Sequence, residues 1–565
     1  MMKNKSLNLK SCNFFIISLL LASCGTPRKT GQIPHDIYSG VEFTMPEVQL
    51  PKIPGYSVIL TDFGAVSGGQ VLNTDAFARA IEAVTAKGGG KITVPAGIWL
   101  TGPIILKSNL EMHLAPGAMV IFSSNKDLYP LVETSFEGLN TWRCMSPLYG
   151  KNLENIAFTG EGVWDGSGDA WRFVKKSKLT DEQWKKLVAS GGVTNDKKTE
   201  WYPSEQFRQA HAKADTNVPA GLTTKEDFEK IRDFLRPVMV SLINCKKVMF
   251  DGPAFQNSPA WCIHPLMVEN LIVRNITVKN PWYSQNGDGI DIESCKNVLL
   301  YNSNFDVGDD AICIKSGKDK AGRDRGIPSE NIVIKNCVVY HGHGGVTIGS
   351  EMSGGVRNMQ VSNCTFIGTD VGIRFKSNRG RGGVVENIFI RGIQMANIPT
   401  QAISFDLYYG GRSVSEMLDE GGQAIDNEEK PVTEETPVFR NISMSDITCK
   451  GAYQAIFLQG LPEMNLQNIT FKRILMEADY GLTCINADGV RINGISLITK
   501  KLPTIVFTNS KNVSVENLHL PESGGPYIEV DGSRTKSILL KESQGKDLGK
   551  LIRISSAVKN GEVRF

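Results

Sequence analysis

The sequence predicts an all-β fold, a solenoid of stacked parallel coils carrying one small helical insertion. The first observation is a recurring segment: NLIVRNITV from Asn270, NVLLYNSNF from Asn297, NIVIKNCVV from Asn331, NMQVSNCTF from Asn358, NIFIRGIQM from Asn387, NISMSDITC from Asn441, NITFKRILM from Asn468 and NVSVENLHL from Asn512. The second is its spacing, 27 residues from 270 to 297, from 331 to 358 and from 441 to 468, with 297 to 331 adding a seven-residue loop. Short alternating strands at such a period, with Asn at the turns, mark a solenoid, because no coil buries its own face and coils must stack. The third is a second strand in each unit: GIDIE from Gly289, AICIK from Ala311, GVTIG from Gly345, GIRFK from Gly372, AISFD from Ala402 and AIFLQ from Ala455. Strand alternation puts Ile290, Ile312, Val346, Ile373, Ile403 and Ile456 in one inward column and the variable positions between them in an outward one. Asn ladders and stacked strands fit a parallel β-helix with coils about 4.8 Å apart.

From the N terminus, residues 1 to 23 read as a removable export signal. Lys3, Lys5 and Lys10 precede the apolar run Phe14 to Leu21 and then Leu21-Ala22-Ser23-Cys24. The run is too short to span a bilayer, and a small-residue site ending in Cys resembles a bacterial lipoprotein lipobox. Cys24 is therefore expected to carry a lipid that anchors the protein in the cell envelope, in the periplasm or at the outer membrane. The alternative is an ordinary cleaved signal with a chance cysteine. Residues 24–54 read as a proline-containing tether. Over 55–167, DFGAVSGG from Asp62, a helical stretch from Thr74 to Lys87, GGGKITVPAGIWLTGPI from Gly88 and NLEMHLAPGAMVIF from Asn109 read as a cap and the first coils. Residues 168–237 have helical periodicity, capping-box starts at Thr180/Gln183 and Thr223/Glu226, and Trp171, Trp184 and Trp201. The coils resume over 238–565, interrupted by an acidic, glycine-containing loop at 410–437.

Composition bounds the function. Hydrophobic residues are 41% and aromatics 8% of 565, enough for a large core and too much for a disordered chain. The charge balance is 62 − 59 = +3, or 59 − 59 = 0 without the three leader lysines, which gives no footing for a nucleic-acid binder. Of 11 cysteines, Cys12 leaves with the leader and Cys24 is acylated, and the odd remainder lacks the paired spacings of a disulfide framework or a zinc site. Cys337 and Cys364 occupy equivalent repeat positions and read as small core residues. No cofactor and no metal are called for, and a monomer is expected.

Polar chemistry gathers in four coils: NGDG from Asn286, GDD from Gly308, GHGG from Gly342, and Arg374 with Lys376 in GIRFK. In the repeat register Asp288 and Asp310 each sit just before the small residue of adjacent strands, with Asp309 beside them and His343 one coil on. Each motif alone reads as a solvated turn, but independent turns have no reason to share a column. Carboxylates this crowded cannot all ionise cheaply, which is a way to keep one protonated near neutral pH.

These motifs resemble glycoside hydrolase family 28, the polygalacturonases and their exo-acting relatives. NGDG stands where the family has Asn-Thr-Asp, GDD where it has Gly/Gln-Asp-Asp, GHG matches outright and RFK stands for Arg-Ile-Lys; Gly287 and Phe375 depart mildly, and the insertion departs outright. The likeness covers about Asp62 to Leu520. It implies a right-handed parallel β-helix that hydrolyses α-linked galacturonic acid in pectin with inversion and no covalent intermediate. By the same likeness Asp309 is the general acid, Asp288 and Asp310 position and deprotonate water, and His343 hydrogen-bonds the acid. Arg374 and Lys376 bind the uronic carboxylate, Asn286 and Tyr409, or its neighbour Tyr408, line the substrate cleft, and a pectic polysaccharide or oligogalacturonide is the partner.

Two rivals remain on the same fold. A polysaccharide lyase needs an Arg or Lys base and not three clustered aspartates with a His, and it releases unsaturated products. A non-catalytic glycan-binding solenoid would have a degenerate column, whereas every position here is filled. Rhamnogalacturonan is the alternative substrate. The NGDGIDIES and GVTIGSE wording resembles exo-acting members, and the insertion and the 410–437 loop are candidates for walls that would turn an open cleft into a pocket.

Overall fold

The computed structural model describes residues 32–214, 216–410, 428–519, 527–541 and 551–565. The leader, the Cys24 lipidation site and residues 411–427 of the acidic loop lie outside the described residues. Residues 1–39 and 40–565 form separate units. In the first, His35–Tyr38 makes one 3-10 turn.

The second unit is a right-handed parallel β-helix. Its inward column runs Ile263, Ile290, Ile312, Val346, Ile373, Ile403, Ile456 and Leu482, each paired in parallel with the next. These residues are at most 2% exposed, so the six predicted positions belong to one continuous apolar core. Aromatic stacks extend it, Phe158 on Phe250 at 4.9 Å and Phe375 on Phe405 at 4.1 Å between ring centroids.

Each coil turns at the repeated Asn, and the reason is local. Asn297, Asn331, Asn358 and Asn387 all hold φ between 55° and 59°, a left-handed conformation that Asn tolerates better than other side chains. Their amides then stack: Asn331 donates to Asn297 at 3.1 Å, Asn358 to Asn331 at 3.2 Å and Asn387 to Asn358 at 3.3 Å. The turn conformation and the ladder therefore select the same residue.

Helix α1, Thr74–Thr85, closes the N-terminal end with Phe77, Ala80, Ile81 and Val84 buried, as its apolar spacing predicts. Three stretches differ from the sequence reading. Residues 41–52 of the expected tether lie along the coils: Glu42 N–H donates to Gln360, Gln49 N–H to Asn270 and Lys52 N–H to Asn155, and Val48 is buried. Two turn asparagines and the strand residue Gln360 satisfy three N–H groups of the extended strap, which proline content alone does not reveal. The 168–237 insertion is mixed rather than helical. It contains α2 (Asp181–Ala189), α3 (Glu205–Lys213), α4 (Lys225–Glu229) and a three-stranded antiparallel sheet of Val174–Lys175, Val193–Thr194 and Glu200–Tyr202. The Thr180/Gln183 capping box is present, but α4 is capped by Thr224 on Asp227 N–H, one residue beyond the predicted start. Finally, Leu131–Phe136 and Leu139–Cys144 pair as an antiparallel hairpin within the span read as first coils.

Hairpin and insertion share a second core of Tyr129, Leu131, Cys144, Trp171, Phe173, Tyr202, Phe207, Phe228 and Phe234. Trp184 and Trp201 pack with Val174 in a smaller one. The three tryptophans thus hold a lobe on the flank of the β-helix. The nine cysteines of the described residues, Cys337 and Cys364 among them, are free and buried.

Candidate active site

The outward column does not face solvent. Asp291, Cys313 and Thr347 are 0% exposed and Arg374 4%, because the hairpin, the insertion and the turns before each strand cover them. What remains is a cavity of about 570 Å³ lined by Asp288, Asp309, Asp310, His343, Arg374, Lys376 and Tyr409 on one side and Glu137, Asn217 and Asn286 on another.

The register sets the first group. Asp310 opens the strand Asp310–Lys315 and pairs with Gly344 of Gly342–Ile348, whose Thr347 pairs in turn with Arg374 of Thr369–Lys376. Asp310 is 1% exposed and held by three donors: Lys376 Nζ at 2.7 Å, the Thr347 hydroxyl at 3.0 Å and Arg374 at 3.5 Å. Asp309 accepts from the N–H groups of Asp310 at 2.9 Å and Asn286 at 3.2 Å, and its carboxylate lies 3.2 Å from His343 Nδ1. The other His343 nitrogen is 3.7 Å from Asp370, a residue the sequence reading missed. Oxygens of Asp288, Asp309 and Asp310 come within 4.8 Å of one another.

Of the two tyrosines, Tyr409 stands at the cleft, its ring 4.9 Å from Lys376 Nζ and 5.4 Å from the Arg374 guanidinium. Tyr408 lies under Arg379 instead. Asn286 has φ +54°, and its side-chain Oδ1 accepts from Arg236 at 2.8 Å and from Asn217 at 3.2 Å. It is therefore clamped to the insertion rather than held free for substrate. Asn217 also donates to Glu137 at the hairpin turn at 2.7 Å. Gly138 beside it has φ +73°, and a Cβ there would meet Lys318 N at 2.5 Å, so the turn can approach the site only with glycine.

Burial by itself would raise every carboxyl here, and the neighbours decide the outcome. Burial, then Asp291 and Asp309, push Asp288 well above the usual range. For Asp309 burial is outweighed by His343 and Lys376, which hold it well below, and His343 is raised in return. For Asp310 burial is outweighed by Lys376 and Arg374. The crowded proton therefore belongs in the resting site to Asp288 and its buried neighbour Asp291, both pushed well above the usual range, and not to Asp309, the acid that the resemblance implies, because Asp309 has an imidazolium partner.

Sequence reasoning also missed the charges behind the cleft. Lys315 reaches Glu351 at 2.8 Å and Asp291 at 3.7 Å, over the Trp261 ring at 4.7 Å, and Glu293 joins His264 at 2.8 Å and Arg325 at 2.6 Å. Asp291 and Glu293 are visible in GIDIE as charged residues at positions of the outward column.

Comparison with known proteins places this geometry. A profile of glycosyl hydrolases family 28 matches residues 226–417. The crystal structure of a hyperthermoactive exopolygalacturonase from Thermotoga maritima is 30% identical and superposes over 87% of this chain and 93% of its own with a TM-score of 0.58. The chain belongs to glycosyl hydrolases family 28. Among its relatives, a probable polygalacturonase of Vitis vinifera is 27% identical over 77% of this chain and 78% of its own length. An exo-poly-alpha-D-galacturonosidase of Dickeya chrysanthemi is 30% identical over 64% of this chain and 58% of its own. The protein is a glycoside hydrolase, and the four segments that carry the resemblance in the sequence meet in the cleft.

Proposed function

We propose that the protein hydrolyses α-linked galacturonic acid bonds in pectin, with inversion and from chain ends. The observation that carries this reading is the pairing of three aspartates with two buried cations in one column. Arg374 and Lys376 would otherwise be a costly way to build a site for a neutral sugar. A uronic carboxylate beside Tyr409 would share these cations with Asp310. By drawing off the positive charge that holds Asp309 down, it would raise Asp309 until the His343 proton moves onto it and from there to the glycosidic oxygen. Asp310 and Asp288 would hold the water on the opposite face of the sugar.

The aspartate oxygens are closer than the roughly 6.5–9.5 Å that usually separates an inverting pair. Inversion therefore rests on the family likeness. Exo action is supported by Glu137 and Asn217, which stand at the cleft from the hairpin and the insertion as a wall, and by the exo-acting relatives. The test follows viscosity and reducing ends together on polygalacturonate. Monomer release with little early fall in viscosity is expected, and a rapid fall with mixed oligomers would overturn exo action. From the lipobox we further propose an envelope lipoprotein that acts as a monomer. Membrane fractionation of the wild type against Cys24→Ser tests the anchor, and unchanged membrane association would contradict it.

A further inference from the structure

One carboxylate behind the cleft has no part in the reaction above. Asp291 follows Asp288 by three residues and is 0% exposed, and neither of its oxygens has a hydrogen-bond partner. Asp288 Oδ1 is buried in the same condition. The two side chains and Cys313 Sγ bring ligand atoms within 4.8 Å of one another. Lys315, at 3.7 Å, is committed to Glu351 and Trp261, and His264 on the preceding coil to Glu293. The remaining charges around the pair are Asp309, Asp310 and, beyond Asn286, Arg236. Asp291 is shut away from water and Asp288 is 3% exposed, and two neighbouring carboxylates with no hydrogen-bond donor on Asp291 or on Asp288 Oδ1 cannot both ionise.

We propose that Asp291 is a positioning residue that shares one proton with Asp288. Its neutral carboxyl donates to Asp288 Oδ1, so the pair carries one negative charge and the second Asp288 oxygen is left to accept from the attacking water. The kinetic consequence deepens the function proposed above and rests on it, whereas the shared proton does not.

The infrared difference spectrum of wild type minus Asp291→Asn at neutral pH tests the proton without any substrate. A deuterium-sensitive protonated carboxyl band that the variant lacks is expected, and its absence from the wild type, or its persistence in the variant, would overturn the proposal even if the substrate assignment fails. Kinetics on polygalacturonate test the role. Asparagine keeps a donor, so kcat should stay within about tenfold of wild type. Asp291→Leu removes the donor and should move the acid limb of kcat/KM upward by about one pH unit or more, with KM little changed. Parallel losses of kcat in both variants with an unmoved pH profile would mark a merely structural residue and refute the positioning role.

Discussion

Replacing Lys376 by methionine tests stability and recognition at once. Its Nζ lies 2.7 Å from Asp310, with the two side chains 8% and 1% exposed, so solvent screens the pair little. Removing one partner of a buried pair costs about 3–5 kcal/mol because the other charge is stranded. Arg374 at 3.5 Å and the Thr347 hydroxyl at 3.0 Å still face Asp310, which places the loss near the lower end, about 3 kcal/mol. The pH dependence follows from the shifts. Asp310 is depressed when folded, so its contribution is present above its ordinary value of 3.8 and is lost as pH falls through the folded value. Lys376 is raised from 10.5, so its contribution is present below that and is lost as pH rises through its folded value. Denaturant unfolding should therefore show the full deficit between these limits and a shrinking one in acid. In catalysis the variant loses a charge-assisted bond of about 1.5–3 kcal/mol, roughly 10- to 150-fold in kcat/KM, for free oligogalacturonides and much less for methyl-esterified ones. Equal losses on both substrates, or a stability deficit that persists unchanged in acid, would refute the reasoning.

Asp309→Asn should lower kcat by about two to four powers of ten with folding unchanged by circular dichroism, and His343→Ala should cost less because it supports the acid without replacing it. His343 is raised above 6.5 by Asp309, so the alkaline limb of kcat/KM should lie above 6.5, and a limb below that value would contradict the pair. Asn358→Ala breaks two ladder bonds and puts alanine at φ +55°, which should cost about 2 kcal/mol in denaturant unfolding without changing KM.

The coils and the apolar column were legible because one repeat encodes both the turn and the strand alternation. Asp288, Asp309, Asp310 and His343 were legible because register carries a motif from coil to coil. The lobe was not. Its hairpin has the strand alternation of a coil, and only the left-handed Glu137-Gly138 pair marks it as antiparallel. Asn217 and Arg236 reach Asn286 across 69 and 50 residues of chain, a contact that no local pattern announces. Asp291 and Lys315 read only as outward residues because alternation tells inside from outside but not whether the outside is covered. The strap at 41–52 escapes for the same reason, since its partners are side chains on distant coils.

Proton NMR of a polygalacturonate digest, read within the first turnovers, tests the central claim most directly. The account predicts saturated galacturonic acid monomer appearing first as the β-anomer. The α-anomer first, unsaturated uronate, or no release of galacturonate would contradict it.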